Sequence, residues 1–315
     1  MKYRPLGRSG LRVSEVSLGS WLTLGKSVDL RATRAIVRRA FDLGINLFDT
    51  ADVYANGAAE DALRQALDGI PRHHLVIATK AFFPMSERPN DRGLSRKHIT
   101  ESVDGSLRRL GTTYIDLHQC HRADPSTPLE ETVRAYEDLI RQGKLLYWGT
   151  SEWKPEELER ACRAAEAHGG YKPISNQPQY SILYRRLERE VIPVSEREGL
   201  GQIVWSPLAQ GVLTGKYAGT ARPAGTRAAD PEHGAFMQRF LDPETLARVE
   251  KLRPIATQEG CSMAQLALAW CLRQQNVASV IVGATRHEHV DENVRGSAIS
   301  LSGDAIAAID ALFPV

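Results

Sequence analysis

The chain has 315 residues, of which 42% are hydrophobic and 25% are charged, an ordinary composition for a globular protein. Its 40 basic and 38 acidic side chains give a net charge of +2 without long charged runs, so neither nucleic acid nor a membrane surface is indicated as a partner. The four cysteines form no Cys-x-x-Cys pair, and no apolar run approaches the length of a signal core or a membrane span. We therefore expect a cytoplasmic protein with one domain over residues 1–315.

Short apolar strands and amphipathic helices alternate along the chain. A glycine-rich turn predicts a β-hairpin over residues 3–16, and strands are predicted at residues 16–19, 45–48, 75–79, 114–120, 145–149, 174–177, 202–205 and 279–282. Helices are predicted at residues 30–42, 58–67, 129–141, 155–168, 186–198, 243–258, 263–274 and 303–312, with two more beginning near Ser95 and Arg286. The segments 81–95 and 211–234 read as long irregular loops.

Eight strand–helix repeats favour an α/β fold closed into a (β/α)8 TIM barrel, with the hairpin at the barrel bottom and two extra helices. An open doubly wound sheet is the alternative. It is less favoured because the Gly-x-Gly-x-x-Gly turn expected after its first strand is absent.

Polar and aromatic residues stand where the predicted strands end, at the face that carries active sites in parallel α/β proteins. They are Asp49, Tyr54, Lys80, His121, Ser151, Gln177 and Trp205. A free tyrosine has a pKa near ~10, too high for an efficient acid at neutral pH, and a neighbouring ammonium such as that of Lys80 lowers it. Asp49 can hold Lys80 charged, and His121 can hydrogen-bond a substrate oxygen or relay a proton.

Such a group suits the protonation of an alkoxide that forms when hydride reaches a carbonyl carbon. Because no side chain supplies hydride, this chemistry predicts a cofactor. At these residues the chain resembles the aldo-keto reductase superfamily over nearly its whole length. It is similar to the long-chain branch, which includes bacterial aldo/keto reductases and potassium-channel β-subunits. The similar motifs are residues 6–11 (Leu-Gly-Arg-Ser-Gly-Leu), 48–54 (Phe-Asp-Thr-Ala-Asp-Val-Tyr), 79–80 (Thr-Lys) and 114–121 (Tyr-Ile-Asp-Leu-His-Gln-Cys-His).

The resemblance implies that Tyr54 is the general acid, that Lys80 and Asp49 tune it, and that His121 orients the carbonyl. It implies NADPH/NADP+ as cofactor, with Ser151 and Gln177 at the nicotinamide amide and Trp205 stacked on its ring. Glu152 stands where the family often has asparagine. The segment 206–217 resembles the pyrophosphate loop, and the adenosine end is expected at the start of the last barrel helix. The implied contacts in these two regions are Ser206, Pro207, Leu208, Gln210, Lys216, Arg227, Gly283, Thr285, His289, Glu292 and Asn293.

These residues and the resemblance favour the hypothesis of an NADPH-dependent reductase of aldehydes or ketones (EC 1.1.1 type). A nicotinamide-sensing regulatory subunit like the channel β-subunits is the alternative, and these usually lack the histidine found here at position 121. A specialised sugar ketoreductase of a biosynthetic pathway is a narrower version of the first reading. The resemblance also extends to a homo-oligomer, because members of this branch are often oligomeric.

Substrate choice is expected to lie in the two long loops and in the side chains near the strand ends. The residues singled out for the pocket wall are Trp21, Phe82, Arg122 and Trp153, with Phe83 beside Phe82. No metal site is predicted: His287 and His289 point to different faces of a helix and lack a His-Glu-x-x-His spacing. The Gly-x-x-x-Gly-Lys portion of residues 211–216 is one residue shorter than an ATP-binding P-loop. The sequence therefore does not predict an ATP site here.

Overall fold

The computed structural model describes residues 1–217, 226–229 and 234–315. Two short strands pair antiparallel as a hairpin, β1 (Tyr3–Pro5) and β2 (Arg12–Ser14). Eight parallel strands then close into a barrel in the order β10-β3-β4-β5-β6-β7-β8-β9. These strands are β3 (Val16–Gly19), β4 (Leu47–Asp49), β5 (Val76–Ala81), β6 (Ile115–Cys120), β7 (Leu145–Ser151), β8 (Ser175–Gln177), β9 (Gly201–Trp205) and β10 (Val277–Val282). The predicted (β/α)8 barrel is confirmed.

Helices of the described residues surround the barrel. They are α1 (Leu30–Asp42), α2 (Ala58–Leu67), α3 (Arg96–Leu110), α4 (Leu129–Arg141), α5 (Pro155–Ala167), α6 (Arg186–Glu198), α7 (Pro243–Glu250), α8 (Leu252–Gln258), α9 (Met263–Leu272), α10 (His287–Arg295) and α11 (Gly303–Leu312). Ser95 caps α3 as predicted, its hydroxyl accepting a hydrogen bond from the His98 backbone N–H.

The main difference from the predicted helices lies at residues 243–258; α9 also ends two residues early, at Leu272. The segment 243–258 is two helices, α7 and α8, which meet at Lys251. Pro254 explains the break, because its ring clashes with the carbonyl four residues earlier, at Glu250, and it has no N–H to donate. These two helices and α11 are the helical segments outside the strand–helix alternation.

Two apolar clusters hold the barrel together. The larger one packs the outer face of the strands against the helices. The smaller fills the barrel interior with one or two side chains from several strands, among them Leu47, Leu117 and Ile203. Leu6 and Val13 of the hairpin belong to the same interior cluster and are fully buried. The hairpin therefore closes the amino-terminal end of the barrel, which leaves the carboxyl ends of the strands for the open face.

Candidate active site

Three of the predicted residues form one buried cluster at the open face of the barrel. Asp49 ends β4 and Lys80 is the fifth residue of β5, next to it in the barrel. The Lys80 ammonium donates to Asp49 Oδ1 at 2.6 Å and to the Thr50 carbonyl at 2.7 Å, and it lies 3.4 Å from the hydroxyl of Tyr54. Lys80 is fully buried and Asp49 is 4% exposed, so this ion pair is shielded from water. The second carboxylate oxygen of Asp49 accepts from Gln177 Nε2 at 2.8 Å.

Tyr54 follows β4 in a short 3-10 turn that carries it back over the barrel. The next two residues, Ala55 and Asn56, have left-handed backbone angles (φ 49° and 51°), and Gly57 continues with φ 91°. This run of positive φ turns the chain tightly between the strand and α2. The turn therefore holds the phenol above the ammonium of Lys80.

The balance of forces on Tyr54 differs from the expectation. Burial raises the pKa of Tyr54 above its usual value of 10.0, and the nearby Lys80 opposes that rise without reversing it. For Lys80, burial favours the neutral amine, but Asp49 and Tyr54 outweigh it and raise the pKa of the ammonium. At neutral pH the cluster therefore holds a protonated phenol beside a charged ammonium.

His121 completes this end of the site. It directly follows β6, and its ring lies edge-on to Tyr54, with ring centroids 5.7 Å apart. Burial lowers the pKa of His121 well below 6.5, with Lys80 and Arg122 adding to the effect, so the imidazole is neutral. Its buried Nδ1 has no hydrogen-bond partner among the described residues. A neutral imidazole can donate one hydrogen bond to an oxygen without competing for the proton.

A second buried carboxyl, which the sequence did not single out, stabilises the chain between Asp49 and Tyr54. Asp52 accepts from the hydroxyl of Ser102 on α3 at 2.7 Å and from its neighbour's backbone N–H, Val53, at 2.6 Å. Its own N–H donates to the Lys80 carbonyl. Burial raises the pKa of Asp52 to about 7, with Glu60 adding to the rise and Ser102 opposing it.

The raised pKa of Asp52 predicts a pH dependence of stability. The folded protein binds this proton more tightly than the unfolded chain, so the free energy of unfolding falls as the pH rises from about 4 to about 7. Asp52→Asn keeps an acceptor for Val53 and cannot ionise. Urea unfolding compares the free energy of unfolding of Asp52→Asn with that of wild type. We expect this difference to favour the variant by about 2–3 kcal/mol more at pH 8 than at pH 5. An equal difference at both pH values would show that Asp52 ionises normally in the folded protein.

A cavity of about 1190 Å³ runs from the Tyr54 cluster across the open face of the barrel. At the Tyr54 end it is lined by Asp49, His121, Arg122, Ser151, Gln177 and Trp205, with Trp21 beside Trp205. It continues along Ser206, Pro207, Leu208, Gln210 and Lys216 and ends among Gly283, Thr285, His289, Glu292 and Asn293. The residues assigned to cofactor binding by resemblance thus share one continuous surface, apart from Arg227, whose side chain lies outside the described residues.

The middle of the cavity is formed by a tight loop after β9. Ser206, Ala209 and Gln210 have left-handed backbone angles, and the hydroxyl of Ser206 accepts hydrogen bonds from the backbone N–H and the side-chain amide of Gln210. Gly211 follows with φ 97°, and a Cβ built there would lie 3.1 Å from the Lys216 ammonium. The loop therefore brings the Lys216 side chain back over the backbone at Gly211, and Lys216 lines the cavity.

At the far end the cavity meets the first turn of α10. No side chain caps this helix at Arg286, and both Arg286 and His289 line the cavity. Burial lowers the pKa of His289, and Arg286 and Lys216 lower it further. Glu292, which also lines this end, accepts a hydrogen bond from the Ser262 hydroxyl. The amino terminus of a helix without a side-chain cap, together with the cations Arg286 and Lys216, makes this end suited to an anion.

Glu152 orients Trp205, a role that the sequence did not reveal. Its Oε1 accepts from the indole Nε1 of Trp205 at 2.7 Å and from the backbone N–H of Gln179 at 2.6 Å. Trp21 packs edge-on against Trp205, at 6.4 Å between ring centroids. The indole is thus held by a hydrogen bond and by an aromatic contact.

Two residues expected in the pocket wall lie elsewhere. Trp153 is 3% exposed and packs in the outer core, because Glu152 takes a left-handed φ of 59° that turns the chain away from the cavity. Phe82 packs against the core, whereas Phe83 lines the cavity with its ring 4.9 Å from His121. Successive side chains of an extended segment point to opposite sides, so only one of the two phenylalanines can face the site.

Known proteins are similar to this chain over most of its length. The sequence model of the Aldo/keto reductase family matches residues 15–313. The chain is 46% identical over 298 residues to a protein of Oryza sativa subsp. japonica named as a probable voltage-gated potassium channel subunit beta, covering 94% of this chain and 90% of that protein. A protein of Arabidopsis thaliana with the same name is 45% identical over the same shares of the two chains. The chain belongs to the aldo/keto reductase family.

Within the described residues, no helix is both long and apolar enough to cross a membrane.

Proposed function

We propose that this protein is an NADPH-dependent reductase that converts aldehydes or ketones to alcohols, with Tyr54 as the general acid. The observation that carries the proposal is the position of the Lys80 ammonium, which contacts Asp49 and lies 3.4 Å from the hydroxyl of Tyr54 at the inner end of a long cavity. A protonated phenol backed by a buried cation suits proton donation to an oxygen that is becoming an alkoxide.

The residues present fit a nicotinamide dinucleotide. The cavity of about 1190 Å³ exceeds the usual range for a drug-sized ligand, roughly 300–1,000 Å³, and combines an aromatic wall at one end with cations at the other. Trp205, Ser151 and Gln177 would hold the nicotinamide, Lys216 the pyrophosphate, and Arg286 with His289 the adenosine end. When bound, the cofactor would supply the hydride.

The protein's own groups would then handle the proton. Tyr54 donates its hydroxyl proton to the substrate oxygen, and the Lys80 ammonium stabilises the phenolate that remains. Asp49 and Gln177 keep Lys80 in place, since both carboxylate oxygens of Asp49 are used. The neutral His121 donates a hydrogen bond to the same substrate oxygen and orients the carbonyl. Burial of the cluster makes each of these interactions stronger than it would be in water.

The test is the oxidation of NADPH in the presence of a panel of aldehydes, dicarbonyls and sugar ketones, with NADH in a parallel series. We expect turnover with at least one carbonyl and tighter binding of NADPH than of NADH, because Lys216 and Arg286 line the cavity. Binding of NADH as tight as that of NADPH would refute the cofactor preference. A sugar ketone turned over alone would favour the specialised ketoreductase.

The names of the relatives support a second candidate, a nicotinamide-sensing subunit of a channel-like assembly. The same panel separates the two. A sensor would bind NADPH and reduce none of the carbonyls, or reduce them so slowly that the bound cofactor turns over about once. All four cysteines are free thiols, and three of them are buried. Free thiols suit the reducing cytoplasm, whether the protein is a reductase or a sensor.

The contact between Glu152 and Trp205 predicts a loss of cofactor affinity. Glu152→Ala removes the acceptor of the indole N–H, and we expect the dissociation constant of NADPH to rise about 10–150-fold, the factor typical of a hydrogen bond to a charged group. Glu152→Gln keeps an oxygen acceptor and should stay within about threefold of wild type. Quenching of protein fluorescence by NADPH measures both. Glu156→Ala, an exposed neighbour on α5, is the matched control. Unchanged affinity in Glu152→Ala would exclude this role.

A further inference from the structure

The Tyr54 end of the cavity carries a cation that the proposed proton transfer does not use. The guanidinium of Arg122 lines the cavity beside His121 and is close enough to Tyr54 to lower its pKa. One N–H of Arg122 donates to the His121 carbonyl, and the guanidinium lies over the ring of Phe83, 5.4 Å from its centroid. These two contacts fix the group in the wall of the substrate end.

Nearby carboxylates are committed elsewhere. Asp49 is bound by Lys80 and Gln177, and Asp124, two residues after Arg122, accepts from Leu94, Ser126 and Thr127. Within the residues that the structure describes, Arg122 takes part in no ion pair, and one of its five N–H groups has a protein acceptor. The remaining donors form a planar fork that matches a carboxylate.

The walls around this cation are aromatic. Trp21, Phe83 and Trp205 line the same end of the cavity. A site with flat apolar walls and one guanidinium favours a planar or short apolar molecule with a negative charge at one end.

We propose that the preferred substrates are carbonyl compounds that carry a carboxylate, which Arg122 binds while the carbonyl faces Tyr54. The proposal rests on the proposed reductase function and names the class of its substrate. Arg122 is here a specificity-determining residue, because it contacts the substrate away from the reacting atoms.

The test compares 3- and 4-carboxybenzaldehyde with their methyl esters in wild type and in Arg122→Met. The ester differs from the acid in intrinsic reactivity, so the informative quantity is the change in the acid-to-ester ratio of kcat/KM between the two proteins. We expect Arg122→Met to lower that ratio about tenfold or more for at least one isomer, the effect of losing a hydrogen-bonded ion pair. The change should appear mainly in KM, because the carboxylate binds equally before and during the reaction. Arg122→Lys keeps the charge without the fork and should fall between the two.

Arg12→Met is the matched control, since it makes the same substitution at an exposed residue of the hairpin, at the opposite end of the barrel. Its ratio should equal that of wild type. If Arg122→Met does not fold, the wild-type salt dependence decides: raised ionic strength should increase KM for the acids and leave KM for the esters unchanged.

A binding measurement separates this proposal from the reductase itself. Calorimetric titration with 4-methylbenzoate and the neutral 4-methylbenzamide needs no turnover. If wild type and Arg122→Met both reduce the carbonyls with the same acid-to-ester ratio of kcat/KM, the proposed substrate class is wrong and the reductase function stands. Absence of any carbonyl reduction, together with benzoate binding that Arg122→Met abolishes, would overturn the reductase and leave the anion site.

Discussion

Replacing Tyr54 by phenylalanine should reduce kcat for carbonyl reduction about 10²–10⁴-fold, the usual contribution of a positioned general acid. The substitution removes one oxygen atom and keeps the ring that packs against His121 at 5.7 Å. Cofactor affinity should stay near that of wild type, because Trp205, Lys216 and the start of α10 are unchanged. The measurement is steady-state NADPH oxidation with the best substrate of the panel, accompanied by a fluorescence titration with NADPH.

Tyr171→Phe is the matched control for this change. Tyr171 is 56% exposed and precedes β8, at the amino-terminal end of the barrel strands. It should behave as wild type in both assays. A Tyr54→Phe protein that binds NADPH and keeps more than about a third of the wild-type kcat would show that another group or water donates the proton, since a general acid contributes far more than that.

The sequence predicted the barrel and the cluster for the same reason. Asp49, Lys80 and His121 each stand at or just after the end of an apolar strand, and closure of a parallel barrel brings such ends to one face. Their proximity therefore followed from the order of elements, without any knowledge of individual contacts. The left-handed turn at residues 55–57 then brings Tyr54 to the same place.

Side chains in the loops beyond the strands were harder to predict. Trp153 faces the core because Glu152 adopts a positive φ of 59°. A positive φ is uncommon for a glutamate, and the pattern of residue types did not predict it here. The same turn brings the Glu152 carboxylate to the indole of Trp205. A single local angle thus explains both the misplaced tryptophan and the missed positioning residue.

The pKa shifts in the Tyr54 cluster also could not be predicted without the structure. The neighbouring ammonium was expected to lower the pKa of Tyr54, yet burial outweighs it and the pKa is raised. Sequence shows which charges can be neighbours, but the degree of burial depends on how Tyr54, Lys80 and their surroundings pack in three dimensions. The break between α7 and α8 is a different case, because Pro254 is visible in the sequence and indicates a break, yet one continuous helix was predicted over residues 243–258.

Replacing Lys80 by methionine should damage both stability and catalysis. Removing one partner of a buried ion pair leaves the other charge unpaired, and we expect the free energy of unfolding to fall by about 3–5 kcal/mol. The loss of the ammonium also removes the group that opposes the rise in the pKa of Tyr54, so the phenol becomes a weaker acid and kcat should fall at least about 10²-fold. Urea unfolding and NADPH oxidation measure the two effects separately.

A double substitution distinguishes the ion pair from simple packing at this site. In Lys80→Met with Asp49→Asn neither charge remains, so the double variant should lose less stability than the sum of the two single variants, while kcat stays low. Lys144→Met is the matched control, because Lys144 pairs with Asp104 at 2.7 Å with both side chains partly exposed, and such pairs contribute about 1 kcal/mol or less. Strict additivity would mean that the pair does not stabilise the fold as a unit. Recovery of kcat in the double variant would mean that Lys80 serves to neutralise Asp49 rather than to support Tyr54.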